Sequence, residues 1–452
     1  METIISEPLD RSLGVVETWF AQDLVNVCYV LEIGGNIDPT HLKTACDALS
    51  DRFLTLRVNY RDDLGFRPLK KYYITPEFIH TNDDVKWKTI VENEINLDFD
   101  KEGESPLWRV TCVFHPKLPT KIIITANHGI SDGTSGFLYA KYLMEYMNLS
   151  HLGSLGEIQS LPMLPPTEEY IKKSVKLEDK RIQSMFDESV KNDQFINIRT
   201  YIPFEKEEMD DSTRRSFPLF FEGSKESLPL IKSCVRRHNL TIGSLVTAIA
   251  FFVIESLVGK NGEFSIGIDV NYRDRVEPKL GREFIAAFIG IFDIEFSVKK
   301  DTKFWEFAKS IHKEMREKVN DHEAAHWLEF YRILEVEKRI DVKHLYEHIV
   351  KNCGRFADLN LSNIGPYPFE RKIGEFELLS MYCVNGEVPI SYSFLWYLIS
   401  LDQIFYSFTA EASLWSREFI QRFFERLCDM TERSYTLQDD FTFADYLSGL
   451  KK

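Results

Sequence analysis

The stretch IIITANHGISDGTSG, residues 122–136, decides how this chain is read. An apolar, β-like run ends in His128, an Asp-Gly pair follows at 132–133, and a helix-like segment opens directly after it. Two readings fit. The stretch is either an ordinary strand-turn-helix corner or a loop that points His128 into a cleft. An imidazole with an ordinary pKa near ~6.5 can take up a proton at neutral pH, and a buried carboxylate such as Asp132 can fix a loop through a charge-assisted bond. Gly133 permits a tight corner and a close backbone approach before the helix. Taken alone, the His-x-x-x-Asp-Gly pattern does not separate the two readings.

Working outward, SPLWRVTCVFH (105–115) and KIIITANH (121–128) predict two strands joined by the proline-containing turn PKLPT, and TSGFLYAKYLMEYMN (134–148) predicts a mostly buried helix. Further back, DLVNVCYVLEI (23–33) predicts a strand. Asp38 is placed as an N-cap with Pro39 at the first helical position, and Leu42, Ala45, Leu49 and Phe53 share one helical face. LTLRVNYR and PLKKYYI follow as strands, which completes one α+β layer. The prolines of LPMLPPTEEY (161–170) mark a boundary before a charged helical crossover at 171–195. The expected division is an N-terminal lobe over 1–180 and a C-terminal lobe over 181–452. In the second lobe, SFPLFFEG is followed by a helix carrying Leu228, Ile231 and Val235, and by a helix capped by Thr241. Strands FSIGIDVNY and FIGIFDIEFSV, a charged helical region over 303–352, and late strands SYSFL and IFYSFTAEA complete it.

Length and charge agree with a two-lobed globular chain. At 452 residues, a prior of roughly 150 residues per domain suggests two or three domains. The 55 Lys and Arg against 70 Asp and Glu leave a net charge of −15, which disfavours nucleic acid as a partner. The acidic run EKEEMDD (205–211) reads as a solvated loop. The seven cysteines are scattered and never form a C-x-x-C pair, which fits buried free thiols in a reducing, cytoplasmic setting. METIISEPLDRSLG at the N-terminus has no apolar core of signal-peptide length. The most apolar window, IGSLVTAIAFFVIESLVG from 242, is interrupted by Glu255 and reads as a buried helix; no transmembrane segment is expected.

A second candidate site is HEAAH, residues 322–326, the H-E-x-x-H pattern in which two histidines one helical turn apart bind zinc and the glutamate acts as base. His344 and His348 lie downstream with the same spacing. Its neighbourhood, HKEMREKVNDHEAAHWLEF, is very polar, whereas a catalytic zinc helix is usually set in a core. An exposed or half-buried helix face is the favoured reading, with a zinc hydrolase using His322, Glu323 and His326 as the alternative.

Several ordered stretches resemble the condensation-domain superfamily of acyltransferases, which includes alcohol acetyltransferases, polyketide-associated acyltransferases, wax ester synthases and the condensation domains of peptide synthetases. GGNIDPTHLKTACDALSDRFLTLRVNY is similar to the family's opening strand, helix and LR strand, and SPLWRV to the strand before the catalytic hairpin. NHGISDGTSG resembles the H-H-x-x-x-D-G signature, with Asn127 where many relatives carry the first histidine. VNYRDRVEP (270–278), FIGIFDIEF (288–296) and LSNIGPYPF (361–369) resemble the segments with the structural arginine, the I-G-x-F strand and the S-N-x-G turn.

The resemblance implies an α+β fold of two chloramphenicol-acetyltransferase-like lobes in a V, with His128 midway along a tunnel between them. His128 would be the general base of the HxxxDG motif, and Asp132 would pair with Arg273, or less readily Arg275, to hold the loop beside Gly133. Asn127, Thr134, Ser135 and Asn363 would lie toward substrate, with Thr134 and Ser135 also placed to cap the helix. The implied reaction is ester formation from acyl-CoA and a small or lipidic alcohol. The alternatives are a carrier-protein thioester donor, an amine acceptor, or a degenerate member that only binds. No metal or resident cofactor is implied, since acyl-CoA enters as donor substrate. A monomer is the expected state, because two fused lobes already form the cleft.

Overall fold

The first long helix starts where its side chains dictate. Asp38 has the extended backbone of an N-cap and its carboxylate accepts the Thr40 N–H, while Pro39, which has no N–H to satisfy, takes the first helical position. The helix Pro39–Arg52 then buries Leu42, Ala45 and Leu49 on the face their spacing defines. The computed structural model of the chain describes residues 10–22, 25–61, 65–101, 103–192, 215–259, 262–336, 357–386 and 394–450, with 202 and 205 singly. His344, His348 and nearly all of the 205–211 run lie outside the described residues.

The fold is mixed α and β, and its internal contacts divide the chain into two units. The first comprises 1–176, 271–290 and 366–388, and the second 177–270, 291–365 and 389–452. The first unit thus draws two segments from well beyond residue 180.

In the first unit a six-stranded sheet runs in the order Lys372–Ile373, Phe376–Asn385, Asn26–Gly34, Thr120–Asn127, Trp108–Phe114, Glu77–His80. Only the edge pair of Glu77–His80 with Trp108–Phe114 is parallel. Asn26–Gly34 is nearly all buried at the centre, and its register pairs Cys28 with Thr125 and Asn26 with Asn127, so His128 follows immediately after the last rung. The helix Gly133–His151 packs on Pro39–Arg52. Gly136 seats it: a Cβ there would come within 2.4 Å of the Tyr29 ring and 2.9 Å of the Met381 methyl. Phe376–Asn385, which lines the other side of Asn26–Gly34, has no counterpart among the predicted strands. Its tie to the sheet is to a partner some 350 positions earlier in the chain, a pairing that no local pattern announces.

In the second unit the sheet order is Ser216–Glu222, Ile404–Glu411, Phe394–Ser400, Leu359–Pro366, Glu263–Asn271, Ile289–Ser297. The helix Ile242–Val258 opens with a reciprocal Thr241–Ser244 capping box, and every residue from Ser244 to Glu255 is buried, which accounts for its continuous apolar run. Among the described residues no single helix is long and apolar enough to cross a membrane.

Three predicted elements differ. PLKKYYI is not a strand: pairing ends at Pro68, and beyond it Tyr72 and Tyr73 leave the pleat to meet the cations Arg57 and Lys43. LTLR forms a 3-10 turn, and only VNYR of that run is a strand. The charged region from 303 divides into the helices Phe304–Asn320 and Glu323–Val336, because His322 takes a left-handed backbone, with φ of 53°, which no α-helix continues through.

The N-terminal helix Val15–Gln22 is tied down by buried charge. Arg11 donates to both carboxylate oxygens of Glu17, at 2.6 and 2.8 Å, and to the Leu164 carbonyl, while the Val15 N–H donates to Glu168 at 2.8 Å. Burial first, and then the charge of Glu17, push the Glu168 carboxyl up from its ordinary 4.5 to about 7, against the pull of Arg11 and the Val15 N–H. Below the ordinary value both folded and unfolded chains hold this proton. As pH rises toward about 7 the unfolded chain releases it first, so folding becomes less favourable, and the full cost is present above about 7. Wild type should therefore lose more melting temperature between roughly pH 5 and pH 8 than Glu168→Gln, as followed by thermal denaturation; identical slopes would refute the assignment.

Candidate active site

The loop after the central hairpin is built from short-range bonds. Asn127 closes the strand, and its side-chain oxygen accepts the Gly129 N–H at 2.9 Å and the Tyr60 hydroxyl at 2.5 Å. The His128 N–H reaches across to the Val25 carbonyl at 2.7 Å, and residues His128–Ile130 turn in a 3-10 helix. Glycine is required at 129, because a Cβ would stand 2.4 Å from the Tyr60 hydroxyl and 3.2 Å from the Glu17 carbonyl. Tyr29, in the central strand, bonds through its hydroxyl to Ser131 Oγ and the Asp132 carbonyl.

Asp132 then starts the helix Gly133–His151 as its N-cap, in a capping box with Ser135. Its carboxylate is fully buried and accepts four hydrogen bonds. Ser135 N–H and Oγ bond one oxygen, while Arg273 Nη1, at 2.5 Å, and the Phe288 N–H, at 2.9 Å, bond the other. Arg273, also fully buried, further donates to Ser135 Oγ and to the carbonyls of Phe284 and Ala286. Burial alone would raise the Asp132 pKa, but the charge and hydrogen bond of Arg273 and the two backbone donors outweigh it and hold the carboxyl below its usual range. Arg275 is exposed and its side chain takes no part.

His128 is buried, with its ring stacked on Phe20 at 3.9 Å between centroids and 13° between planes. Among the described residues its Nδ1 has no hydrogen-bond partner, although the side chains of Asn127, Ser131, Asp132 and Ser135 around it are all engaged. Desolvation lowers the imidazole pKa below its ordinary 6.5, only partly opposed by nearby carbonyls and Asp132. The ring is therefore neutral at physiological pH and able to accept a proton.

The remaining predicted residues divide. Thr134 Oγ1 accepts from Asn271 at 3.0 Å, and Gly133 is the first residue of the helix. The hydroxyl of Ser135 and the side-chain oxygen of Asn127 are taken up inside the protein. Asn363 belongs to the second unit, where it is exposed on Leu359–Pro366. Phe20, Tyr29 and Tyr60 were not singled out by the sequence; nothing local distinguishes an aromatic beside this loop from one in a core.

The family model for alcohol acetyltransferases matches residues 73–404, a span that contains the whole loop, the Asp132 clamp and Arg273. The chain belongs to the alcohol acetyltransferase family. That family is one of acyltransferases, and its fold is shared well beyond it. The first condensation domain of the calcium-dependent antibiotic synthetase, in complex with a substrate analogue, matches with a TM-score of 0.70 at 12% identity over 97% of this chain and 99% of that one. The condensation domain of the monacolin K polyketide synthase MokA gives 0.69 at 12% identity over 97% and 100%. Polyketide synthase associated protein 5 from Mycobacterium tuberculosis gives 0.65 at 14% identity over 94% and 98%. No curated protein sequence matches the chain.

In this alcohol acetyltransferase family member the HEAAH pattern serves a helix-helix contact. His322 stands before the helix in a left-handed backbone, so the two histidines are not neighbours on one helical face. His326 is buried, not on an exposed or half-buried face, and its Nε2 accepts the Glu178 N–H at 3.1 Å while Nδ1 donates to the His322 carbonyl at 3.0 Å. Glu323 is ion-paired with Arg181. His326 Nε2 and the Glu323 carboxylate thus hold Asp179–Asn192 against Glu323–Val336, around the buried Ile182, Phe186, Phe330 and Leu334, while Nδ1 is taken up at the start of its own helix. Among the described residues no group of three or more His, Cys, Asp and Glu is placed to hold a metal ion.

Asp132→Ala leaves Arg273 as a buried charge without its carboxylate, a change that typically costs about 3–5 kcal/mol. The substitution should lower the melting temperature markedly and reduce soluble yield together with activity, as read by calorimetry beside a transfer assay. A variant that is as stable as wild type and fully active would contradict the clamp.

Proposed function

We propose that the protein transfers an acyl group from acyl-CoA to the hydroxyl of a small or lipidic alcohol, with His128 as general base. The observation that carries this reading is the buried, desolvated imidazole of His128 on the loop that the Asp132–Arg273 pair holds, with its Nδ1 open among the described residues. A buried polar atom without a partner calls for an explanation, and a catalytic role is one that this position supports. Membership of the alcohol acetyltransferase family supports the alcohol as acceptor.

The chemistry follows from the ring's state. Neutral His128 removes the acceptor's hydroxyl proton as the oxygen attacks the thioester carbonyl; the tetrahedral intermediate then collapses, the C–S bond breaks, and the imidazolium returns the proton to the departing thiolate. The first turn of Gly133–His151 supplies N–H donors and the positive end of a helix dipole for the developing oxyanion. Asp132 is not a proton carrier here, because its carboxylate is saturated by Arg273, Ser135 and Phe288. The described cysteines are all free and buried, which supports a reducing, cytoplasmic setting.

His128→Ala should lower transfer on the order of 10²- to 10⁴-fold with little change in melting temperature. The test is thiol release from a panel of acyl-CoAs with mixed alcohols, run with a chelator present. Acceptor-dependent release that vanishes in the variant supports the reading. Release indifferent to His128 overturns it, and release seen only with a carrier-bound donor or an amine moves the assignment within the superfamily. In the wild type, kcat/KM should hold at neutral pH and decline only as pH falls below the ordinary histidine range, since the pKa of the free base is lowered; a decline beginning above pH 7 would contradict the neutral, desolvated ring.

A further inference from the structure

A general base must be held in one orientation, and in many sites a carboxylate hydrogen-bonded to the second ring nitrogen does this. Here that device is missing among the described residues. Asp132 is turned into the Arg273 clamp, and no described side chain is hydrogen-bonded to the His128 ring. What the ring does have is Phe20, lying parallel to it at 3.9 Å.

We propose that Phe20 is the positioning residue for His128: its ring fixes the plane of the imidazole for proton transfer, in place of a hydrogen-bonded carboxylate. The proposal rests on the reading of His128 as base. Three observations carry it. First, the contact is face to face, which fixes the plane of a ring that a simple apolar wall would leave free to turn. Second, the backbones beneath the two rings are joined, since the Phe20 carbonyl accepts the Val25 N–H at 3.1 Å and the Val25 carbonyl accepts the His128 N–H at 2.7 Å. The close approach of the Glu17 carbonyl to Gly129 brings the same helix against the turn. Third, the helix that carries Phe20 is anchored at its start by buried bonds among Arg11, Glu17, Val15 and Glu168. By covering one face of the imidazole, Phe20 also contributes to the desolvation that lowers its pKa; Asp132, the charged side chain that opposes this, is neutralised by Arg273.

The test compares wild type with Phe20→Leu, which keeps apolar bulk without a ring, and Phe20→Tyr, which keeps the ring. NMR of histidine-labelled protein reads the ring-current shift of the His128 carbon-bound protons, independently of activity. The expected result is an upfield shift in wild type and Phe20→Tyr that is lost in Phe20→Leu. With it, kcat should fall about 10- to 100-fold in Phe20→Leu with little change in KM, and the acid limb of kcat/KM should move up toward the ordinary histidine value. Phe20→Tyr should stay within a few-fold of wild type. A wild type without the ring-current shift, or Phe20→Leu with an undiminished kcat, overturns the inference alone. Equal losses in Leu and Tyr variants that track a fall in melting temperature overturn it in favour of a purely structural role. A wild type that shows the shift but transfers no acyl group under any donor overturns the base reading itself, and the positioning role with it.

Discussion

The pairing of Asp132 with Arg273 is the constraint on which the candidate site depends. Both side chains are withdrawn from water, a cost offset by four hydrogen bonds to the carboxylate and by those of the guanidinium Nη atoms, and these bonds tie distant pieces of chain together. One carboxylate caps the Gly133–His151 helix through Ser135, fixes the strand end at Phe288 and neutralises an arginine that itself collects the carbonyls at 284 and 286. The segment 271–290 is thereby held in the first unit although it lies far along the sequence. In the His-x-x-x-Asp-Gly motif the aspartate is thus part of a structural clamp that sets where His128 stands.

His128 itself is held in a different way. Its backbone is bonded to the residue before the central strand, its ring is packed on Phe20 with no described side chain hydrogen-bonded to it, and desolvation lowers its pKa. A ring kept dry and uncharged suits a base that must accept a proton from a bound hydroxyl and pass it on, because no described side chain competes for it. The same burial that makes the imidazole a weaker base than in water makes it a more available one at neutral pH.

Much of this was legible in the sequence, for physical reasons that can be named. The Asp38-Pro39 and Thr241 helix starts are written in residues whose side chains or missing N–H satisfy the first turn, and both helices begin there. The strand before His128 is announced by its apolar run and ends at Asn127. The ion pair of Asp132 with Arg273 was implied by family resemblance and not by any local pattern, since nothing in either segment alone distinguishes Arg273 from Arg275. What was not legible depends on long-range packing. The Phe376–Asn385 strand, the Tyr60 hydroxyl on Asn127 and the Phe20 ring on His128 involve residues whose partners are fixed only once the sheet has formed. HEAAH shows the converse: a pattern complete in letters whose left-handed His322 and engaged His326 take it out of helical register.

Chemical rescue distinguishes a His128 that acts as a base from one that is merely a packed ring. Substituting His128→Gly opens a buried space beside Phe20 that free imidazole can enter. Transfer that is lost in this variant and restored in proportion to added imidazole, with pH dependence set by the added base, is the expected result. Transfer at the wild-type rate in His128→Gly without imidazole would contradict the account.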